Sequence, residues 1–307
     1  MSQNRNLVLR VATALVAVPI ILALIYLGPA WGFFVLTTAA AAVAAIEFFG
    51  MTHSEDRPSR VFGLMLTLTI AVTFFASAGS MWFLALLLFL TLVPTLLGPL
   101  FSIVRVGAIE TAALRAFAMS VGPLYCAVPI TLLATMKKLD QANGPGLVVL
   151  ALMFAWFSDT GGYFAGRFLG KHKLHERVSP KKTVEGAIGG LAAAVLGGVI
   201  ASVSFLKVIP LSHAIVLALL AGALGQAGDL AESLIKRSVG VKDSGAILPG
   251  HGGILDRIDA LLVTSTLVFL YWTFFIPWST SDKLPNVFGP VFQWPMFRLL
   301  VGGSLGF

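Results

Sequence analysis

Nine stretches of this chain stay apolar for longer than a soluble core helix needs, and that leaves a bilayer as the solvent it folds in. They run Val11 to Leu27, Trp31 to Phe49, Val61 to Ser77, Trp82 to Val104, Ala116 to Met136, Leu147 to Ala165, Gly186 to Phe205, Leu211 to Asp229 and Ala260 to Trp278. Most are about 17 to 23 residues with one charge or none, enough to carry a helix across the hydrocarbon core. Composition agrees: 57% of the 307 residues are apolar and 11% charged, against about 45–50% and 25% in soluble domains. Ten-residue segments of alternating polarity are absent, so the outer-membrane barrel is excluded, and a helical bundle is the other structure that satisfies every backbone group in lipid. The expected fold is all-α, a polytopic integral membrane bundle of about nine transmembrane helices.

Charge orients it. With a cytoplasmic N-terminus, sixteen of the 21 Lys and Arg residues fall on inside segments, and five fall outside: Lys137, Lys138, Lys207, Lys283 and Arg298. That split obeys the positive-inside rule. The net charge of +7 is therefore assigned to loops facing anionic lipid, not to nucleic acid. Arg5 and Arg10 before the first run suggest a cleaved signal, but the run is long and no small-x-small site follows before Pro29 and Trp31, so it is read as a retained span. The single Cys126 excludes an intrachain disulfide and thiolate metal cages. Three regions are expected: a scaffold of helices over 1–150, a catalytic membrane region over 151–278 with two cytoplasmic polar loops, and an interfacial tail over 279–307 rich in Pro, Gly and Phe.

Residues 156–260 hold eight of the fourteen acids, so chemistry is expected there. Asp159 lies inside the sixth run, where a carboxylate costs about 2.5–3.5 kcal/mol on insertion scales and needs a cavity or a partner. The loop from Arg167 to Gly186 carries Arg167, Lys171, Lys173, Arg177, Lys181 and Lys182. It reads either as a lipid-surface patch or as a phosphate-binding loop. Its end favours the second: Ser179, Pro180, Lys181, Lys182 and Thr183 stand beside a helix start, where point charges and backbone N–H groups can hold a phosphate chain. His172 and His175 are read as solvated loop residues.

Asp229, Glu232, Ser233, Lys236 and Arg237 are spaced to share one stripe if the eighth helix continues beyond its apolar run. Lys242, Asp243, Ser244 and Gly245 follow, then His251, Gly252 and Gly253, where glycines let backbone amides converge on an anion. Asp256, Arg257 and Asp259 open the ninth span. Asp229 and Asp256, from different helices, make a plausible Mg²⁺ seat, because magnesium takes one or two carboxylates plus waters and substrate phosphates. The P-loop, the Rossmann glycine fingerprint and H-E-x-x-H are all absent.

The run SLIKRSVGVKDSGAILPGHGGILDRID, Ser233 to Asp259, resembles the signature of the phosphatidate cytidylyltransferase (CDP-diacylglycerol synthase) family. Ser233, Lys236, Arg237, Lys242, Asp243, Gly245, His251, Gly252, Gly253, Asp256, Arg257 and Asp259 all match its fixed positions. Ser158 to Gly186 also resembles that family, and the first half does so by hydropathy alone. The resemblance implies transfer of CMP from CTP to phosphatidate, giving CDP-diacylglycerol and pyrophosphate, with Mg²⁺ required and a second cation allowed. On that reading Asp229 and Asp256 hold the metal, with Asp259 and Asp243 supporting. Lys236, Arg237, Lys242 and Arg257 hold phosphates, and His251, Gly252 and Gly253 shape the pocket. Ser179, Lys181, Lys182, Thr183 and Asp159 serve the nucleotide. The site is expected to open to the cytoplasm and sideways to the inner leaflet of the cytoplasmic membrane. Gly186 and Gly190 form a small-xxx-small pair that suits a contact within the bundle or a homodimer. Two other classes stay open: a CTP-dependent lipid kinase or a cytidylyltransferase for another lipid phosphate, and a cation-coupled transporter relaying through Asp159 and Asp229.

Overall fold

The computed structural model describes residues 17–80, 83–105, 109–245 and 252–276. Within them the chain forms nine helices. These are α1 (Ala17–Tyr26), α2 (Ala30–Thr52), α3 (Arg57–Ser77), α4 (Phe83–Val104), α5 (Ile109–Leu139), α6 (Gly144–Leu169), α7 (Val184–Ser204), α8 (Leu211–Ser238) and α9 (Leu255–Phe275). Seven, α2, α3 and α5 to α9, are long and apolar enough to cross a membrane, so this is an integral membrane protein. The tail from Ser279 and the residue His251 lie outside the described residues.

Local chemistry sets the helix ends. Asp56 caps α3 by accepting from Ser59 N, with Pro58 in the first turn, where a missing N–H costs nothing. Thr183 caps α7 by accepting from Gly186 N at 3.1 Å. At one end Lys137 Nζ donates to the carbonyls of Leu24 and Ile25 at 2.6 and 2.5 Å, and Lys138 Nζ to Phe75 O at 2.7 Å. These two lysines satisfy the orphan carbonyls that end α1 and α3. At the opposite end Asp56 pairs with Arg105 at 2.8 Å and Arg115 at 3.8 Å.

The helices group as α2 to α5 around α5 and as α6 to α9, and α5 and α9 join the two groups. The core runs through the join and includes Phe49, Phe74, Met119, Met136, Leu147, Leu150 and Phe154, all fully buried. In lipid, close packing rather than water exclusion holds helices together, and small residues permit it. The pair α6 and α7 shows this: a Cβ at Gly186 would stand 2.9 Å from Gly162 O, and one at Gly162 would stand 3.3 Å from Gly186 O. The Gly186 position is thus used within the bundle.

Candidate active site

Two stretches that the sequence presents as loops differ in what they become. Residues 167–186 are not an irregular loop. They contain a hairpin of β1 (Lys173–His175) and β2 (Ser179–Thr183), antiparallel, with Lys173 opposite Thr183 and His175 opposite Ser179. Its strands are short and charged, so no apolar alternation announces it. Glu185, in the first turn of α7, fastens it: its carboxylate accepts from Lys171 N at 3.0 Å, His172 N at 3.2 Å and His172 Nδ1 at 2.6 Å. His175 Nδ1 accepts from Val178 N at 3.3 Å. Both histidines are hairpin fasteners. Arg237, at the end of α8, donates to Val178 O at 3.4 Å and to Val241 O at 3.0 Å, tying hairpin to helix.

The hairpin closes one side of a cavity of about 410 Å³ between α6, α7 and α8. Asp159, Tyr163 and Arg167 come from α6, Lys181, Lys182 and Thr183 from β2, and Gln226 and Asp229 from α8. Five residues expected to serve the site, Asp159, Lys181, Lys182, Thr183 and Asp229, therefore share one space. Lys182 Nζ lies 2.5 Å from Asp229 Oδ2. Asp229 is also within electrostatic range of Asp159 and of Asp259 on α9. Asp159 is also within electrostatic range of Lys182, so acids from three helices, Asp159, Asp229 and Asp259, lie within electrostatic range of one another. Gln226, one turn deeper, donates from Nε2 to Ala187 O at 3.1 Å and Ser158 Oγ at 3.3 Å, which orients its amide. Arg167 donates to Tyr163 Oη at 2.7 Å on the cavity rim. Ser179 begins β2 at the far end of the strand from Thr183.

The second half of α8 and the start of α9 carry a further set of paired charges. The helix does continue past Asp229, to Ser238, so Glu232, Ser233 and Lys236 share the stripe that the spacing predicts. All three are buried. Lys236 pairs with Glu232 one turn away and with Asp256 Oδ1 at 2.6 Å. Asp256 Oδ2 accepts from Gly253 N at 2.9 Å and Ser244 N at 3.0 Å. Gly252 has φ of +77°, a conformation open to glycine, and its Cα lies where a Cβ would approach Asp256 Oδ2 to 3.0 Å. The carboxylate of Asp256 is thus spanned by a lysine and two amides, while Asp229 faces Lys182: the two aspartates have different partners. Asp259 is buried and its Oδ1 accepts from Ala260 N at 2.7 Å. Lys242, Asp243 and Arg257 are exposed at the same end.

Among the described residues no three His, Cys, Asp or Glu side chains converge as a metal cage. The donor chemistry around Asp229 still suits Mg²⁺: hard carboxylate oxygens beside open space, with room for waters and phosphates to complete the shell.

Two residues of this region escaped the sequence reading. Glu47 on α2 is buried against the turn before α9; its signal was a lone acid in the run Trp31 to Phe49. Gln226 announced itself only as a polar residue one turn before Asp229.

The described residues thus form a membrane bundle of nine helices with a cavity lined by charged side chains. Comparison decides the family. The cytidylyltransferase family model matches residues 8–275, and the chain belongs to that family. It is 45% identical over 150 residues to the phosphatidate cytidylyltransferase of Brucella abortus biovar 1 (strain 9-941), a match covering 48% of this chain and 54% of the relative. Against the Bacillus subtilis (strain 168) phosphatidate cytidylyltransferase it is 44% identical over 137 residues, 45% of this chain and 50% of the relative. In these matches the chain spans about half the length of its curated relatives.

Proposed function

We propose that this protein transfers CMP from CTP to phosphatidate, releasing pyrophosphate and leaving CDP-diacylglycerol in the membrane. The observation that carries the reading is the shared cavity of Asp159, Lys181, Lys182 and Asp229 in a chain whose family is cytidylyltransferases and whose relatives are named phosphatidate cytidylyltransferase. A phosphate oxygen of the lipid attacks the α-phosphorus of CTP; one P–O bond forms, the bond to the β-phosphate bridge breaks, and pyrophosphate leaves. The attacking oxygen is already ionised near neutral pH, so little base catalysis is needed. Bringing two polyanions together is the difficulty, and positioning with charge neutralisation is what phosphoryl-type transfer asks of a protein.

The chain's own residues supply this. Lys181 and Lys182 extend from β2 as point charges for the triphosphate, with Arg167 on the rim. Asp229, with Asp159 and Asp259 near it, would hold Mg²⁺, and Lys182 keeps that carboxylate compensated meanwhile. Bound there, Mg²⁺ would offset negative charge on the phosphates. Lys236 and the Ser244 and Gly253 amides hold Asp256 as the fixed point of the paired charges on α8 and α9, and Asp243, Lys242, Arg237 and Arg257 stand at the mouth. The fourteen described basic residues of the inside set, Arg57 to Arg257, belong to this end of the helices, which supports a site facing the cytoplasm and the inner leaflet of the cytoplasmic membrane.

Purified protein incubated with labelled CTP, phosphatidate and Mg²⁺ tests the reading. Expected are a lipid-extractable cytidine and one pyrophosphate per turnover. Release of CDP with a newly phosphorylated lipid would assign a lipid kinase instead, and consumption of neither substrate would reject the activity.

A further inference from the structure

Helix α9 begins without a side-chain cap of its own: Ile254, before it, supplies none. The first amides of a helix need acceptors, and here they come from some two hundred residues upstream. Glu47 Oε1 accepts from Ile254 N at 3.0 Å, and Oε2 accepts from Leu255 N at 2.8 Å and from Ser244 Oγ at 3.1 Å. Glu47 is 5% exposed, in an otherwise apolar helix where a carboxylate is costly to insert. Two backbone amides, a hydroxyl and the positive end of α9 take the place of a cationic partner.

The fit is close. A Cβ at Gly245 would fall 2.6 Å from Glu47 Oε1, and one at Gly253 would fall 2.5 Å from Oε2. Ser244 and Gly253 also donate their amides to Asp256. The turn on either side of the undescribed segment 246–251 is therefore gripped from both faces, by Glu47 from the scaffold and by Asp256 from α9. Whatever fixes that grip fixes where the first turn of α9 starts, and with it Asp256 and Asp259.

We propose that Glu47 is a positioning residue for the transfer site, acting through the α9 N-terminus on Asp256 and Asp259, and that this contact is one task of the N-terminal helices. The kinetic arm of the test rests on the proposed function; the exchange arm does not. In Glu47→Gln the NH₂ group has no lone pair for an amide donor, so Ile254 N or Leu255 N loses its acceptor while shape is kept. Expected is loss of hydrogen-exchange protection over Ile254 to Arg257 by at least about tenfold. Expected with it is a fall in kcat of about 10- to 100-fold, with KM for CTP within about threefold, because Lys181 and Lys182 are carried by β2 and not by α9. Glu47→Asp, which keeps the charge on a shorter stem, should recover part of kcat.

Unchanged exchange in Glu47→Gln overturns the proposal. Lost protection with unchanged kcat also overturns it, by reducing Glu47 to a cap. If Glu47→Gln does not fold, Ser244→Ala, which removes one of three donors, carries the same pair of readouts: a partial loss in both supports the proposal and no change in either overturns it. If the wild-type protein itself transfers no CMP, the proposed function fails, and the exchange arm alone decides.

Discussion

Lys182 and Lys236 are both lysines near aspartates, yet their surroundings give them different work. Lys182 Nζ lies 2.5 Å from Asp229 Oδ2, and both residues line the cavity, so a phosphate entering it can compete with the carboxylate for the ammonium. Lys182→Ala should raise the apparent KM for CTP by about tenfold, one lost charge-assisted contact, with KM for phosphatidate nearly unchanged. Equal dependence on CTP in variant and wild type would leave the hairpin as a membrane-surface patch. Lys236 is 10% exposed, and its partner Glu232 is 1% exposed. Removing one member of a buried ion pair strands the others and costs about 3–5 kcal/mol. Lys236→Ala should therefore lower the melting temperature in detergent and the yield of monodisperse protein before any kinetic effect is read; full stability would show that the cluster is solvated.

At the scale of elements, the hairpin and the α6–α7 pair hold the cavity together. Gly186 stands where a Cβ would meet Gly162 O at 2.9 Å, and backbone cannot yield as a flexible side chain does. Gly186→Val should part α6 from α7, destabilise by about 1–3 kcal/mol as an overpacking change, and lower CTP binding with it; a variant that binds CTP normally would place the cavity elsewhere. The turn between α2 and α3 carries a pH dependence. Burial pushes the His53 imidazole down to about 4, and Arg115 adds to the effect. A histidine kept neutral in the fold stabilises it fully above its ordinary value near 6.5, and that contribution fades as pH falls toward 4. Melting temperature should drop over that window and drop less in His53→Gln; equal slopes would exclude His53. Asp56, held down to about 2 chiefly by its Arg105 hydrogen bonds, stays ionised throughout.

Much at this scale was legible because apolar length is a strong signal: each of the nine runs has its helix, and the extension of α8 to Ser238 follows from a stripe visible in the spacing. The hairpin was not legible, since Ser179, Pro180, Lys181, Lys182 and Thr183 of β2 have no period that separates strand from loop. Nor were the ends of α5, which runs Ile109–Leu139 past its apolar centre because Lys137 and Lys138 find carbonyls to bond.

For the whole molecule, the sequence divided the chain into a scaffold and a catalytic half, and that division hid a contact. Asp159, Lys182 and Asp229 could be gathered from the second half because the two acids were out of place in apolar runs and Lys182 stood in a dense basic loop beside a helix start. Glu47 was equally out of place, but a contact between α2 and the first turn of α9 depends on how the two helix groups dock, which no local pattern records. The neighbours of the aspartates likewise needed coordinates: in the fold the oxygens of Asp256 meet Lys236 and two amides.

The role given to Asp229 carries the most weight, and Asp229→Asn measures it with little change of shape. Turnover of CTP and phosphatidate should saturate with Mg²⁺ in the wild-type protein and fall by about 10²-fold or more in the variant, with the helical spectrum and elution in detergent unchanged. Turnover within about threefold of wild type, with the same Mg²⁺ dependence, would contradict it.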